Sequence, residues 1–305
     1  MINNKESKPK QLYKRGDNIA GYLFILPFIV GFMVFIFVPI IFSFILGFTK
    51  WNLLSGFGNI KFVGFKNFSK LLRDVAFTDS FKNTLIFAFF TISLQIVISL
   101  ILASLLLSNI YYSDIFKTMI FVPYIASIVA SAIVWQVMLN PTNGPVNQFL
   151  MSIGISNPPK WFVSAHWALP TLIAFTVWKA LGYFTIVYIA GLKSIPEEIY
   201  EASIIDGAST RTRFFKITIP LVSPTTFFLF VTGLIGCFKA FDQIKVTTGG
   251  GPGHASSVLV LFVYQNAFEF YKMGYASAAA WILFLVIFAV TIFQWIGQKK
   301  WVNYE

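Results

Sequence analysis

Six long apolar stretches alternate with shorter polar segments along this chain of 305 residues. A helix needs ~20 apolar residues to cross a bilayer core of about 30 Å, and each stretch reaches or exceeds that length. The pattern therefore predicts an all-α membrane protein with six transmembrane helices. The predicted spans cover roughly residues 20–48, 82–107, 115–138, 168–191, 221–243 and 275–297.

The composition agrees with a surface that faces lipid. Hydrophobic residues make up 57% of the chain and charged residues 11%, whereas a soluble domain usually has about 25% charged residues. Twelve Lys and Arg fall on the side of the N-terminus and nine on the opposite side, which favours cytoplasmic N- and C-termini. We do not interpret the net charge of +11 as a sign of nucleic-acid binding. The single cysteine, Cys237, lies in a predicted span, so we expect neither a disulfide nor a metal site.

The polar segments divide the chain into four parts. Residues 1–17 form a cytoplasmic tail, 18–81 the first transmembrane helix with an outer loop, 82–297 the core transmembrane domain, and 298–305 a second tail. In the outer loop, apolar and basic side chains interleave at helical spacing over 65–73, which predicts an amphipathic helix at the interface. The sequence contains no G-x-x-x-x-G-K-S/T motif and no interruption long enough for a soluble domain, so an ATPase would have to be a separate chain.

One polar segment, EEIYEASIIDGASTRTRFFKITIP (197–220), stands between the fourth and fifth spans. Its charges cannot lie in hydrocarbon, so it must face water and contact something there. The small residues Ala202, Ser203 and Ala208 would allow the backbone of a partner to approach closely. The alternative is an ordinary solvated loop.

The local sequence predicts two short helices in this loop. Ser194 and Glu197 have the spacing of a capping box, which starts a helix over about 195–206. Gly207 would end that helix because glycine adopts the left-handed conformation without penalty. A second helix would follow over about 209–216.

The spacing within this loop resembles the signature of permease subunits of binding-protein-dependent ABC importers. That signature has E-A-A, a glycine four positions after the last alanine, and I-x-L-P ten positions later. The matching residues are Glu201, Ala202, Ser203, Gly207, Ile217, Ile219 and Pro220. Ser203 replaces the second alanine and Ile219 the leucine, and both changes conserve size or shape.

Other segments resemble the sugar-importer branch of this family, in its maltose-type and glycerol-phosphate-type members. They are KNTL (82–85), FFKITIPL (214–221), FDQIKVTTGGGP (241–252) and MGYASAAA (273–280). The resemblance extends over about 20–297. It implies a type I importer transmembrane domain in the cell membrane of a prokaryote, which translocates a sugar or sugar derivative.

The resemblance also implies partners. The loop 193–220 would couple the chain to a cytoplasmic ATPase, of which the importer would have two copies that bind ATP and magnesium. This chain would have no catalytic residues and no cofactor. A second homologous permease and an external solute-binding protein would complete the importer. The expected ATPase-docking residues are Glu201, Ala202, Ser203, Asp206, Gly207 and Ala208.

Two polar stripes suggest a path for the solute, because ionisable residues in spans by default face a cavity or a partner. The first stripe contains Thr176, Lys179 and Tyr183 at helical spacing, with Trp178 beside it to stack on a sugar ring. The second stripe would consist of Thr232, Gly236, Lys239 and Asp242. The alternatives are helix packing through small and hydroxyl side chains and simple neutralisation of Lys239 by Asp242.

Two other classes of protein would require features that this sequence lacks. A self-sufficient secondary transporter or channel would be expected to show inverted repeats with broken helices, and no internal repeat is apparent. A membrane-embedded enzyme would need His, Asp or Glu clustered at one depth, and the sequence has no such cluster.

Overall fold

The structure is a computed structural model and describes residues 15–107, 113–300 and 302. Residues 1–14 of the first predicted tail and part of the second lie outside the described residues. The α-helices in chain order are α1 (Arg15–Phe32), α2 (Val38–Gly47), α3 (Lys66–Leu71), α4 (Val75–Leu107), α5 (Ser113–Ile125), α6 (Ile128–Met138), α7 (Pro145–Ser152), α8 (Ala168–Lys193), α9 (Glu197–Ile205), α10 (Thr210–Arg213), α11 (Ile219–Leu221), α12 (Ser223–Phe238), α13 (Asp242–Thr247), α14 (Leu259–Tyr264) and α15 (Met273–Gly297). Short π-helical segments follow α1, α10 and α14, namely Met33–Phe37, Phe214–Thr218 and Gln265–Glu269. Single 3₁₀ turns are Leu53–Ser55, Phe57–Asn59, Trp161–Val163 and Gln298–Lys300, and the strands are β1 (Thr49–Lys50) and β2 (Lys61–Phe62).

Four helical stretches are each long and apolar enough to cross a membrane. They are Gly21–Gly47, which joins α1 to α2, and the helices α4, α8 and α15. The shortest has 25 residues, which at 1.5 Å per residue gives about 38 Å. α4 begins seven residues before the predicted second span because the carboxylate of Asp74 accepts a hydrogen bond from the Ala76 amide (2.9 Å) and so starts the helix earlier.

Two further spans are bent, so the prediction of a single helix over 115–138 is wrong, while the predicted span 221–243 begins at its bend and its helix ends early, at Phe238. α5 and α6 meet at 100°, and Thr210–Leu221 meets α12 at 61°. Proline explains why the chain can bend at these points: Pro123 lies two residues before the end of α5, and Pro220 and Pro224 flank the second break. With each bent pair counted as one span, the described residues provide the six predicted spans.

α8 occupies the centre of the fold, with α4, α5 and α12 packed around it. Half of the residues in its most apolar 18-residue stretch are buried, against 6% in that of the first span. Two glycines permit the close approach of neighbouring helices, as small residues commonly do in membranes. A Cβ on Gly182 would lie 2.6 Å from the Cα of Phe121 in α5, and one on Gly191 would lie 2.9 Å from the Cβ of Thr225 in α12.

The predicted outer loop before α4 folds into a compact hairpin, here called the outer hairpin. β1 and β2 pair antiparallel, with Lys50 opposite Lys61. The amide of Asn67 donates to the carbonyls of Gly47 (2.9 Å) and Thr49 (2.8 Å), which fastens α3 to the end of α2. The predicted amphipathic helix is present as α3, which buries Leu71 completely.

Candidate functional site

The loop between α8 and α12 folds as a separate short helix, α9, that starts two residues later than expected. Pro196 precedes it and makes no side-chain cap. The predicted capping box is wrong, because Ser194 still belongs to the end of α8: its backbone is helical and its hydroxyl donates to the Gly191 carbonyl (2.7 Å). Ile195 is buried behind it, which holds this turn against the bundle.

The end of α9 follows the prediction. Gly207 has φ +77°, the left-handed region that favours glycine. Its amide donates to the Ile204 carbonyl (3.0 Å), and the Ala208 amide donates to the Ser203 carbonyl (2.9 Å). These two bonds form a Schellman motif. Ser209 then caps α10 through its hydroxyl, which accepts from the Thr212 amide (3.2 Å).

A pocket of about 570 Å³ separates α9 from the ends of the spans. Leu107 at the end of α4, Lys193 at the end of α8 and Tyr200 of α9 all line it. The hydroxyl of Tyr200 lies 3.0 Å from the hydroxyl of Thr218. That bond connects α9 to the π-helical turn that leads into α11, so α9 is linked to the fifth span in space as well as along the chain.

Four of the six predicted docking residues lie on the water-exposed side of α9: Glu201, Ala202, Asp206 and Gly207. Ala208 is half-buried. Ser203 is only 6% exposed, and its hydroxyl donates to the carbonyl of Tyr200 (2.6 Å), so it packs inward rather than toward a partner.

One apolar feature of α9 is not among the predicted docking residues. Ile204 and Ile205 at its end are strongly exposed, Ile205 to 86%. Adjacent exposed isoleucines on a water-facing segment are typical of a contact surface. The polar character of the surrounding sequence concealed this, since the helix is too short for its apolar positions to show a clear period.

The first polar stripe, on α8, is largely engaged within the chain. The ammonium group of Lys179 donates to the carbonyls of Pro123, Tyr124 (3.0 Å) and Ala126 (2.7 Å). These carbonyls lie at the end of α5, where the 100° bend removes their helical partners. Lysine has three donors, so Lys179 is fully committed to capping α5 and has none left for a solute.

The other residues of this stripe differ in their exposure. Tyr183 stacks on Tyr124 with ring centres 5.0 Å apart. The carbonyl of Thr176 accepts a bond from the buried Gln95 (3.2 Å), which joins α8 to α4. Trp178 is 37% exposed, so it is the ring of this stripe that is most open to a passing molecule.

The second polar stripe does not exist as one helical face. α12 ends at Phe238, the backbone of Lys239 turns out of the helix at φ −97° and ψ 5°, and Asp242 begins α13. Thr232 and Gly236 are exposed on α12. Lys239 does not pair with Asp242 either, since the ion pairs among the described residues join Lys117 to Asp114 and Lys245 to Glu269.

Comparison with known proteins agrees with this architecture. Residues 95–302 match the family described as "Binding-protein-dependent transport system inner membrane component". The chain is 34% identical to a probable ABC transporter permease protein, YesP, of Bacillus subtilis (strain 168), with 99% of this chain and 98% of that protein covered. It is also 34% identical to the lactose transport system permease protein LacF of Rhizobium radiobacter, with 94% and 96% covered.

A solved structure shares the fold. A chain of a bacterial ABC transporter involved in the import of the acidic polysaccharide alginate aligns with a TM-score of 0.80 and 24% identity, covering 94% of this chain and 98% of that one. This likeness identifies the fold as that of a type I ABC importer transmembrane domain. The chain therefore belongs to the family of inner-membrane components of binding-protein-dependent transport systems, the permeases of ABC importers, and is a multi-pass membrane protein.

Proposed function

We propose that this chain is the permease subunit of an ATP-driven importer for a sugar or sugar derivative. The observation that carries the proposal is α9, a water-exposed helix with two exposed isoleucines that is tied to the spans by the Tyr200–Thr218 bond. The sugar assignment rests on relatives, since LacF is named for lactose and the aligned transporter for alginate.

In this function α9 would dock on a cytoplasmic ATPase, of which the importer would have two copies. The ATPases would bind and hydrolyse ATP with magnesium, while this chain would be non-catalytic and without a cofactor of its own. A second homologous permease and an external solute-binding protein would complete the assembly. Only 6% of the most apolar stretch of the first span is buried, which leaves a large apolar surface for lipid and for that second permease.

The solute would pass along the exposed parts of α8 and α12. Trp178 offers a ring face for stacking on a sugar, and Thr232 offers a hydroxyl near the middle of α12. Gly236 leaves open space, because no atom lies within 4 Å of the position of a Cβ there. Lys179 would act on this path only indirectly, by holding the bend between α5 and α6 in place.

Charge reversal at Glu201 tests the docking role. The tagged chain, purified from its host's membranes in mild detergent, should bring an ATPase with it, measured as ATP hydrolysis in the eluate. Glu201→Lys should abolish that activity, since it places a positive charge on the exposed face of α9, yet leave the permease folded. Asp114→Lys is the matched control, because Asp114 is an exposed acid at the start of α5 outside α9.

The outcomes separate the proposal from its rival. Loss of activity with Glu201→Lys alone supports docking through α9. Equal activity of wild type and Glu201→Lys would refute docking at this residue. A chain that purifies without ATPase activity in every form would favour a self-sufficient secondary transporter.

A further inference from the structure

The outer hairpin encloses a pocket of about 580 Å³ that is surrounded by lysines. Lys50 lies on β1, Lys61 on β2, Lys66 and Lys70 on α3, and Lys272 directly before α15. All five are exposed, and none of the described residues that line the pocket is acidic. Four separate segments, β1, β2, α3 and the residue before α15, therefore bring five positive charges to one cavity.

These charges have no carboxylate partner in the part of the chain that the structure describes, where the ion pairs lie elsewhere. Lys70 and Lys272 instead lie over aromatic rings, at 5.3 Å from the centre of Tyr275 and 5.4 Å from that of Phe270. Lys50 and Lys61 face each other across the two-stranded ribbon. Like charges directly opposite each other destabilise a ribbon, so this arrangement favours an anion that is bound between them.

The neutral polar groups of the pocket are occupied by the fold. The Asn67 amide donates both of its hydrogens to backbone carbonyls, the Trp51 indole donates to Gly56 (3.0 Å), and the Asn59 amide donates to Ser55 (2.9 Å). The charged donors left to bind a ligand are the ammonium groups. Lysine is a flexible point charge, which suits a phosphate group better than it suits the oriented hydroxyls of a neutral sugar.

The surroundings of the pocket are apolar and open. Leu54, Phe62 and Phe65 are exposed around it, Phe62 to 78%. The first span ends at Gly47, close to the pocket, since Asn67 binds the Gly47 carbonyl. Apolar side chains next to lysines at the end of a span are typical of a segment lying in the headgroup region.

The pocket also lies on the side of the membrane opposite α9. α4 begins beside the outer hairpin and ends at Leu107, which lines the pocket against α9. Its 33 residues separate the two ends by about 50 Å. The lysine pocket is therefore distinct from the docking helix.

We propose that the lysine pocket binds the phosphate of an anionic phospholipid headgroup on the side opposite α9. The importer, purified in neutral detergent and stripped of lipid, would be titrated with phosphatidylglycerol and with phosphatidylcholine of the same acyl chains, and bound lipid counted by native mass spectrometry. Phosphatidylglycerol should bind more tightly. Each lysine near a charged headgroup contributes about 5-fold to binding, so Lys61→Gln with Lys66→Gln should weaken it about 25-fold.

The matched control is Lys82→Gln with Lys160→Gln, which removes two exposed lysines outside the pocket. This control should bind phosphatidylglycerol as the wild type does. Equal weakening in both double variants would assign the effect to diffuse surface charge and overturn the proposal. Equal affinity of the wild type for both lipids would also overturn it and point to an acidic protein surface as the partner.

A final arm separates a lipid from a soluble anion. Inorganic phosphate would be titrated into the same lipid-free importer. Binding at least 10-fold weaker than that of phosphatidylglycerol would support the lipid as the source of the phosphate. Phosphate binding as tight as that of the lipid, and lost in the Lys61 and Lys66 variant, would assign the pocket to a soluble anion and overturn the lipid assignment.

Discussion

Replacing Gly182 by alanine tests the crossing of α8 and α5 that organises the centre of the fold. A Cβ on this residue would lie 2.6 Å from the Cα of Phe121, whereas ordinary contact begins at 3.4 Å. The obstacle is backbone and cannot rotate away as a side chain can. α5 would therefore have to retreat by about 1 Å for the alanine to fit, a small-to-large change in a packed interior.

The expected loss of stability can be worked out from this geometry. Overpacking typically costs about 1–3 kcal/mol, while the change from glycine to alanine inside a helix gains about 1 kcal/mol. A retreat of α5 also weakens the bonds from Lys179 and the stack of Tyr183 on Tyr124, together worth about 1 kcal/mol or more. The net loss is roughly 2 kcal/mol, which lowers the unfolding midpoint by about 4–8 °C for a domain of this size.

The chain offers a built-in probe for the measurement. Cys237 is its single cysteine and is buried in α12, so a thiol-reactive dye reports unfolding during heating. Gly31→Ala is the control, because no atom lies within 4 Å of a Cβ at Gly31 in α1. We expect the control to match or slightly exceed the wild type. If Gly182→Ala and Gly31→Ala gave the same midpoint, the close crossing of α8 and α5 would be refuted.

Three further substitutions separate the roles of single contacts. Tyr200→Phe removes a hydroxyl bond worth about 1 kcal/mol, so the ATPase should still co-purify while ATP hydrolysis by the reconstituted complex falls severalfold. Thr218→Val should have the same effect. Unchanged hydrolysis in both variants would show that coupling does not depend on this bond. Lys179→Met removes three bonds at about 0.6 kcal/mol each in a membrane and should lower the dye-reported midpoint by several degrees. A normal midpoint with altered uptake would instead show that Lys179 binds the solute.

The sequence alone was sufficient to predict the spans and the end of α9, which depend on residues close together in the chain. The length of the apolar stretches determined the spans, and Gly207 determined the end of α9 because a left-handed residue there is a local requirement. The start of α9 was not predictable in the same way. The Ser194 hydroxyl donates to the Gly191 carbonyl of α8, and Ile195 is buried against the bundle, so tertiary packing keeps this turn with α8.

The bends and the role of Lys179 depend on distant contacts. Proline is tolerated in transmembrane helices, so Pro123 alone could not distinguish a straight helix from a 100° bend. The carbonyls that Lys179 caps lie more than fifty residues earlier in the chain. The prediction of one polar stripe from Thr232 to Asp242 was wrong because residues at helical spacing share a face only while the helix continues, and α12 ends at Phe238.

The position of the bends relative to α8 indicates how a displacement of α9 would reach the spans. A displacement of α9 would pull on the fifth span at Thr218, the pulled point, which is bonded to Tyr200 of α9. Seven residues later Thr225, the held point, lies against Gly191 of α8. The Tyr188 hydroxyl donates to Thr226 (3.1 Å) and strengthens the held point.

Between the pulled and held points lies the 61° bend at Val222, flanked by Pro220 and Pro224, neither of which has an N–H for the helical ladder. The bend keeps the backbone bonds from Val222 to Thr218 and from Thr226 to Val222, and the Ser223 hydroxyl donates to the Pro220 carbonyl (2.6 Å). The two missing amide donors still leave it less braced than a continuous helix, whereas sliding α12 along α8 would break the close contact at Gly191 and the bond to Tyr188. A force applied to α9 should thus change the bend at Val222 first. For this reason Tyr200→Phe, which releases the pulled point and leaves the held point intact, should separate docking from coupling.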